Sequence, residues 1–121
     1  MSRAALEQLF QRCWSLKSST LWSPDCPARG QCGVTALVVQ DHFGGDILKT
    51  RVGEQWHFYN FIAGERWDIT AGQFSTPPAY DDVCSSRTEA FADTTEAPYS
   101  YLAGEVARAV AETSGEGSAT S

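Results

Sequence analysis

Apolar and polar positions recur along the chain with two different periods, and the changes of period divide it. Leu6, Leu9, Phe10, Cys13 and Trp14 fall at helical spacing within residues 2–15, with Ser2 where an N-cap belongs, which predicts a first amphipathic helix. The stretch SLKSSTLWSPDCPARG (15–30) has no period and is rich in Ser, Pro and Gly, as a long loop is. Its Trp22 reads as either a lid or a packing anchor. From Cys32 to Asp41 the residues Val34, Ala36, Leu37, Val38 and Val39 leave almost no polar face, and Gly44-Gly45 ends the run. Val and Thr would also suit a buried strand, but the length and the glycine terminator predict a central, buried helix.

Three segments of period two follow: DILKTRV (46–52), QWHFYNFI (55–62) and RWDIT (66–70). Gly53-Glu54 and Ala63-Gly64-Glu65 separate them, so an antiparallel meander is expected. The stretch from Gln73 to Thr95, with Pro77-Pro78, has no clear period and reads as loop with short pieces of structure. Residues 98–112 place Leu102, Val106, Ala109 and Val110 as a closing helix with a proline in its first turn. Residues 113–121 are expected to be a disordered tail after a single domain spanning 1–112.

The second hairpin decides which side chains share a face. If Ala63-Gly64 make a two-residue turn, Ile62 faces Glu65 and Asn60 faces Trp67. Trp56, Phe58, Asn60, Ile62, Trp67 and Ile69 then share one face, and His57, Tyr59, Phe61, Asp68 and Thr70 share the other. His57 and Asp68 become diagonal neighbours within reach of each other. A change of one residue in the loop would reverse this sorting.

Composition narrows the possibilities. At 121 residues with 42% hydrophobic content, the chain suffices for one compact core. Its 9 basic and 15 acidic residues give a formal charge of -6 without any Lys/Arg cluster, which argues against nucleic acid or an anionic membrane as partner. The N-terminus lacks the apolar region and cleavage site of a signal peptide, so a cytoplasmic location is expected. The four cysteines, Cys13, Cys26, Cys32 and Cys84, include no CxxC pair. Neither a zinc site nor any other metal or cofactor is expected from them, and a Cys26–Cys32 redox pair is a weaker reading. Cys13 and Cys84 read as small buried hydrophobes.

Cys32 stands apart because it opens the apolar helix. A cysteine there meets the positive end of the helix dipole and unpaired N–H groups, which would favour the thiolate. His57 brought against it would act as base, and Asp68 would hold the imidazole in its productive tautomer. The Cys32 main-chain N–H and the Gln31 amide could receive an oxyanion. The competing structural reading makes Cys32 a buried thiol, His57 a satisfied sheet histidine and Asp68 a strand-end hydrogen-bonding residue. His42, at the other end of the helix, is expected to serve the terminal carbonyls. Trp56, Phe58, Tyr59 and Trp67 are expected mainly in the core, although some must line any cavity beside His57.

Trp22 and Pro24 together with GQCGVTALVVQDHFGGDILKTRV (30–52) and WHFYNFIAGERWDITAGQF (56–74), about half of the chain, resemble the YunG family of small bacterial proteins. The resemblance implies an α+β, minimal papain-like fold of the cysteine-protease superfamily. In it a central helix carrying the cysteine packs on a small antiparallel sheet between N- and C-terminal helices. It also carries Cys32, His57 and Asp68 onto three triad positions, in the chain order of papain-like and transglutaminase-like cores. GQCGVTA is also similar to the GQCGSCW string of papain-type proteases, whose nucleophile is the second cysteine; Thr35 stands at that position here. On that alignment Cys32 would be structural and the nucleophile missing.

The expected function is cysteine-dependent acyl transfer at an amide or thioester of a small molecule or short peptide. Cys32, His57 and Asp68 would be catalytic, with Gln31, Trp22 and Tyr59 about the oxyanion or substrate. Two readings of other classes stay open. One is a noncatalytic binding or regulatory module on the same scaffold, and the other is a condensing or cyclising enzyme using His57 and Asp68 as acid and base with Cys32 incidental.

Overall fold

The computed structural model describes the backbone of residues 1–120 and the side chains of residues 1–113. It is an α+β arrangement in which one buried helix lies between a sheet and a pair of outer helices. The first helix, α1 (Arg3–Cys13), is capped by Ser2, whose Oγ accepts the Ala5 N–H at 3.1 Å. Its apolar stripe, Leu6, Leu9 and Phe10, is buried. The loop that follows is pinned at its start by Trp14, whose Nε1–H donates to Thr35 Oγ1 at 2.9 Å. Trp22 packs against the core made by the outer helices, so it is an anchor and not a lid.

Helix α2 (Cys32–Phe43) is buried at every residue from Cys32 to Val39. Two neighbours explain its lack of a polar face. Val34, Val38 and Val39 pack with Leu6, Leu9 and Phe10 of α1 and with Leu102 and Val106 of the last helix. Ala36 and Leu37 pack on the other side against Ile47, Phe58 and Ala90. Full burial of each such aliphatic side chain is worth roughly 1.5–3 kcal/mol, enough to override the modest strand preference of Val. Gly44 and Gly45, at φ 70° and 75°, end the helix in a conformation that other residues adopt only with strain.

The sheet order is β3 (Glu65–Trp67), β2 (Gln55–Ile62), β1 (Asp46–Val52), β4 (Val83–Cys84), all antiparallel. Strands β1 (Asp46–Val52) and β2 (Gln55–Ile62) form the centre. Ala63 and Gly64 both have positive φ (51° and 82°) and close the two-residue turn into β3 (Glu65–Trp67). The register is the expected one, with Ile62 opposite Glu65 and Asn60 opposite Trp67.

The third strand stops earlier than the expected 66–70. After Trp67 the chain bends, with Asp68 C=O accepting from Ala71 N at 3.2 Å and a 3-10 turn at Ala71–Gln73. The cause is local: the Thr70 hydroxyl donates to Asp68 Oδ1 at 3.4 Å, one of the short side-chain bonds that divert backbone from a ladder. The loss of pairing leaves β2 without a neighbour on that side from Gln55 to Tyr59.

Two elements fall in the stretch read as loop. Strand β4 (Val83–Cys84) pairs with the outer edge of β1, and α3 (Arg87–Ala92) is capped by Ser86, whose Oγ accepts Glu89 N–H at 3.2 Å. Cys84, expected to be buried, is exposed because a two-residue edge strand offers nothing to cover it. The closing helix α4 (Glu96–Thr120) starts two residues before the expected 98 and buries Leu102 and Val106 against α2. The segment expected as a disordered tail, 113–121, lies almost wholly outside the residues whose side chains are described.

Candidate active site

Cys32 is the first residue of α2, and His57 lies on the part of β2 that β3 leaves unpaired. The two side chains line one cavity of about 360 Å³, together with Arg29, Trp56, Phe74 and Asp93. A roomier hollow of about 540 Å³, bounded by Arg3, Glu7, Arg66, Asp68 and Tyr80, does not include the cysteine.

His57 is only 2% exposed. Its Nε2–H donates to Asp68 Oδ2 at 2.8 Å, while Nδ1 is buried without a partner among the described residues. A carboxylate can only accept, so Nε2 carries the proton of this bond and Nδ1 is the ring nitrogen left without a partner. The ring is fixed on two sides, edge-on to Phe74 with centroids 4.8 Å apart and stacked on Tyr59 at 5.8 Å. Asp68, 7% exposed, also accepts the Tyr80 hydroxyl on Oδ2 at 2.8 Å. The expected histidine–carboxylate pair is therefore present and anchored.

The state of the thiol differs from expectation. Cys32 is 8% exposed and its pKa is pushed up to about 12, first by burial and then by the charge of Asp93. Main-chain amides of Phe58 and Gly33 pull the other way and lose. The front of a helix contributes about 0.3–1 kcal/mol in ordinary settings, too little to offset the desolvation of a buried anion. The resting cysteine is a thiol, not a thiolate.

Asp93, the C-cap of α3, dominates this surrounding. Its Oδ2 accepts the Gly33 N–H at 3.2 Å and lies 3.5 Å from Cys32 Sγ, where the thiol donates to it. Gly33 is what permits the approach: a Cβ there would stand 2.5 Å from Asp93 Oδ2 and 3.0 Å from the Ala90 carbonyl. Burial raises the Asp93 carboxyl, and its bonds to Cys32 and Gly33 only partly counter that.

Asp93→Asn tests this arrangement with two signs. With the negative charge gone, the Cys32 thiol ionises more readily, and alkylation by iodoacetamide near neutral pH should accelerate about tenfold, one pKa unit. The stability effect follows from linkage. The native state holds the Asp93 proton more tightly than the unfolded chain, so this group's contribution to stability falls as pH rises through the carboxylate range. The asparagine variant should thus melt higher than the parent at neutral pH, with the gap closing below about pH 4. A melting difference independent of pH would refute the assignment.

The three expected helpers sit elsewhere. Gln31 is fully buried as the residue before α2, makes no capping bond, and does not line the cavity; both its amide atoms lack partners among the described residues. Trp22 belongs to the core. Tyr59 supports the His57 ring from below, but its hydroxyl is engaged with Asp82, donating to Oδ1 at 2.8 Å and accepting Asp82 N–H at 2.9 Å. Asp93 and Tyr80, not singled out from sequence, make the contacts that matter. Tyr80 carried a faint signal, a tyrosine followed by two aspartates in an otherwise Ser/Thr/Pro-rich stretch; Asp93 carried none.

All four cysteines are free thiols. Among the described residues no cluster of three or more His, Cys, Asp or Glu stands where it could hold a metal ion, and no helix is long and apolar enough to cross a membrane.

Fold and site together define a small α+β protein whose buried, helix-leading cysteine shares a cavity with a carboxylate-held histidine. The chain belongs to the YunG family: the family model described as YunG protein matches residues 2–111. A relative from Bacillus subtilis (strain 168), the uncharacterized protein YunG, is 54% identical over 97 residues, covering 80% of this chain and 84% of its own. No solved structure matches the chain.

Proposed function

We propose that the chain is a cysteine-dependent acyl-transfer protein acting on an amide or thioester of a small molecule or short peptide, on a minimal papain-like scaffold. The observation that carries the reading is the state of His57. Its Nε2–H is fixed on Asp68 at 2.8 Å, its Nδ1 is buried without a partner among the described residues, and the residue lines the cavity that also holds Cys32. An unpartnered buried acceptor costs roughly 1–3 kcal/mol, and a base that must receive a proton accounts for keeping it.

Because the thiol rests protonated, attack and proton transfer are concerted in this scheme. Cys32 Sγ bonds to the carbonyl carbon as its proton passes to His57 Nδ1. Asp68 stabilises the resulting imidazolium. The carbonyl oxygen becomes an oxyanion near the main-chain N–H of Cys32 and that of Gly33, which Asp93 holds at rest. Collapse expels the amine or thiol with the proton from His57, leaving an acyl thioester on Cys32. Water or an acceptor amine resolves it by the reverse sequence. A cavity of about 360 Å³ suits a small ligand or a few residues of peptide.

One observation favours a second reading, a module that binds without turnover: the sulfur is nearly covered and held as the thiol. Brief exposure of the native protein to an activated acyl ester, followed by peptide mapping with mass spectrometry, separates the two. The proposed function requires an acyl adduct confined to the Cys32 peptide. Acylation that reaches all cysteines only after denaturation would leave the binding module as the better account.

A further inference from the structure

We propose that Tyr80 is a fourth member of the Cys32–His57–Asp68 set, a positioning residue acting through Asp68, and that segment 80–82 is the strap that delivers it. What the set accomplishes rests on the acyl-transfer reading; the strap's geometry does not.

Asp68 Oδ2 receives two donors, His57 Nε2–H and the Tyr80 hydroxyl, each at 2.8 Å. Burial and the bond to Asp68 both hold the Tyr80 phenol in its protonated, donating form. The segment that carries it is strained and yet firmly held. Tyr80 and Asp82 have φ of 56° and 54°, a region that costs a bulky side chain most.

Each of its three residues is tied to the sheet. Asp81 accepts the Thr50 hydroxyl at 3.0 Å and donates its N–H to the same oxygen at 2.9 Å, fixing the strap to β1. Asp82 exchanges bonds with Tyr59 on β2 and accepts Arg66 of β3 through Nε at 3.0 Å and through its terminal nitrogen at 2.6 Å. The Tyr80 ring lies under the Arg66 guanidinium, 4.3 Å from it, and meets Tyr59 edge-on at 5.2 Å. So many ties around two unfavourable backbone positions make one outcome certain: the hydroxyl arrives at the carboxylate that steadies His57.

The chemical consequence has a definite sign. A donor on Asp68 Oδ2 draws off part of the charge that the carboxylate presents to His57 Nε2–H. Removing that donor concentrates the charge on the histidine and shortens the Asp68–His57 bond. The other charged or titratable groups bearing on His57 are Asp93, across the cavity, and Tyr59, beneath the ring; Cys32 and Arg29 share the cavity, and Arg3 and Arg66 act on Tyr80.

The test is NMR of the full chain in Tyr80→Phe, which keeps the ring and its stacking, read at the His57 Nε2–H that bonds to Asp68. The chain has two histidines, and the exposed His42 serves as internal control. With one donor fewer on Asp68 Oδ2 the bond to His57 tightens, so the Nε2–H resonance is expected to move downfield of its place in the parent while the His42 ring signals stay. Asp81→Ala, which loosens the strap from Thr50 without altering a residue beside His57, should move the same resonance the same way by a smaller amount and is the readout should Tyr80→Phe fail to fold. An Nε2–H resonance unchanged in the folded variant overturns the proposal. Since no substrate is needed, a shifted resonance in a protein that forms no acyl adduct would retain the role of Tyr80 and discard acyl transfer.

Discussion

Cys32→Ala is expected to eliminate acyl transfer, a loss on the order of 10⁴-fold or more, while leaving the melting temperature nearly in place. The two halves of this result have separate causes. In the proposed mechanism the sulfur is the atom that bonds to the substrate, and no neighbour in the cavity can replace it. Stability depends on it weakly. The thiol contributes one buried atom to a cluster whose bulk is Ala36, Leu37, Ile47, Phe58 and Ala90. Its contact with Asp93 is long, at 3.5 Å, and Asp93 retains the Gly33 N–H at 3.2 Å when the sulfur is gone. The change should cost about 1 kcal/mol or less by the measure of one small apolar group. The measurements are acyl turnover of an activated ester and thermal unfolding of the same sample. Turnover that survives in Cys32→Ala but vanishes in His57→Ala would assign the chemistry to the histidine–aspartate pair with the cysteine incidental. A collapse in melting temperature would mark Cys32 as a core thiol.

How much of this was legible in the sequence depended on whether a feature was fixed locally. The turn at Ala63-Gly64 left no choice of register, and register in turn sorted every side chain of β2 and β3 between two faces. That is why His57 and Asp68, eleven positions apart, could be paired from sequence; they meet at 2.8 Å although β3 ends at Trp67 and Asp68 reaches the histidine from the bend beyond it. The buried helix from Cys32 was legible for a similar reason, since an apolar run without a polar face must be covered on both sides.

Short elements carried no such pattern. Two residues of β4 and six of α3 are fewer than a period needs to show itself. Without α3 there was no means of placing Asp93, sixty-one positions from the cysteine it touches. The sign of the thiol shift followed only in part from that gap, because burial raises it most. Helix position alone argued for a thiolate, whereas burial and a distant carboxylate decide for the thiol. Gln31 shows a related limit: adjacency to Cys32 in sequence suggested an amide near the oxyanion, yet the residue before a buried helix can point into the core, as this one does.

Asp68 is where function and stability should fail together. In Asp68→Ala the His57 Nε2–H and the Tyr80 and Thr70 hydroxyls lose their common acceptor in a site where water has little access. Each buried donor left unmatched costs roughly 1–3 kcal/mol, so a loss of several kcal/mol in chemical denaturation is expected even if water enters part of the space. Asp68→Asn is the more telling variant because its shape is kept. An asparagine can turn its NH₂ toward His57 Nε2, which forces the proton onto Nδ1 and leaves the ring with a donor where the thiol needs an acceptor. Losing the correct tautomer in nucleophile–base–carboxylate sites costs on the order of 10⁴-fold in rate, and Cys32 acylation should slow by about 10²–10⁴-fold. The asparagine carbonyl, in the place of Oδ1, can still accept from Thr70, while its NH₂ in the place of Oδ2 can only donate toward the Tyr80 oxygen, so its unfolding should lie between that of the parent and that of Asp68→Ala. If the asparagine variant acylates at the parental rate while the alanine variant is merely unstable, Asp68 supports the sheet end and has no part in orienting the base.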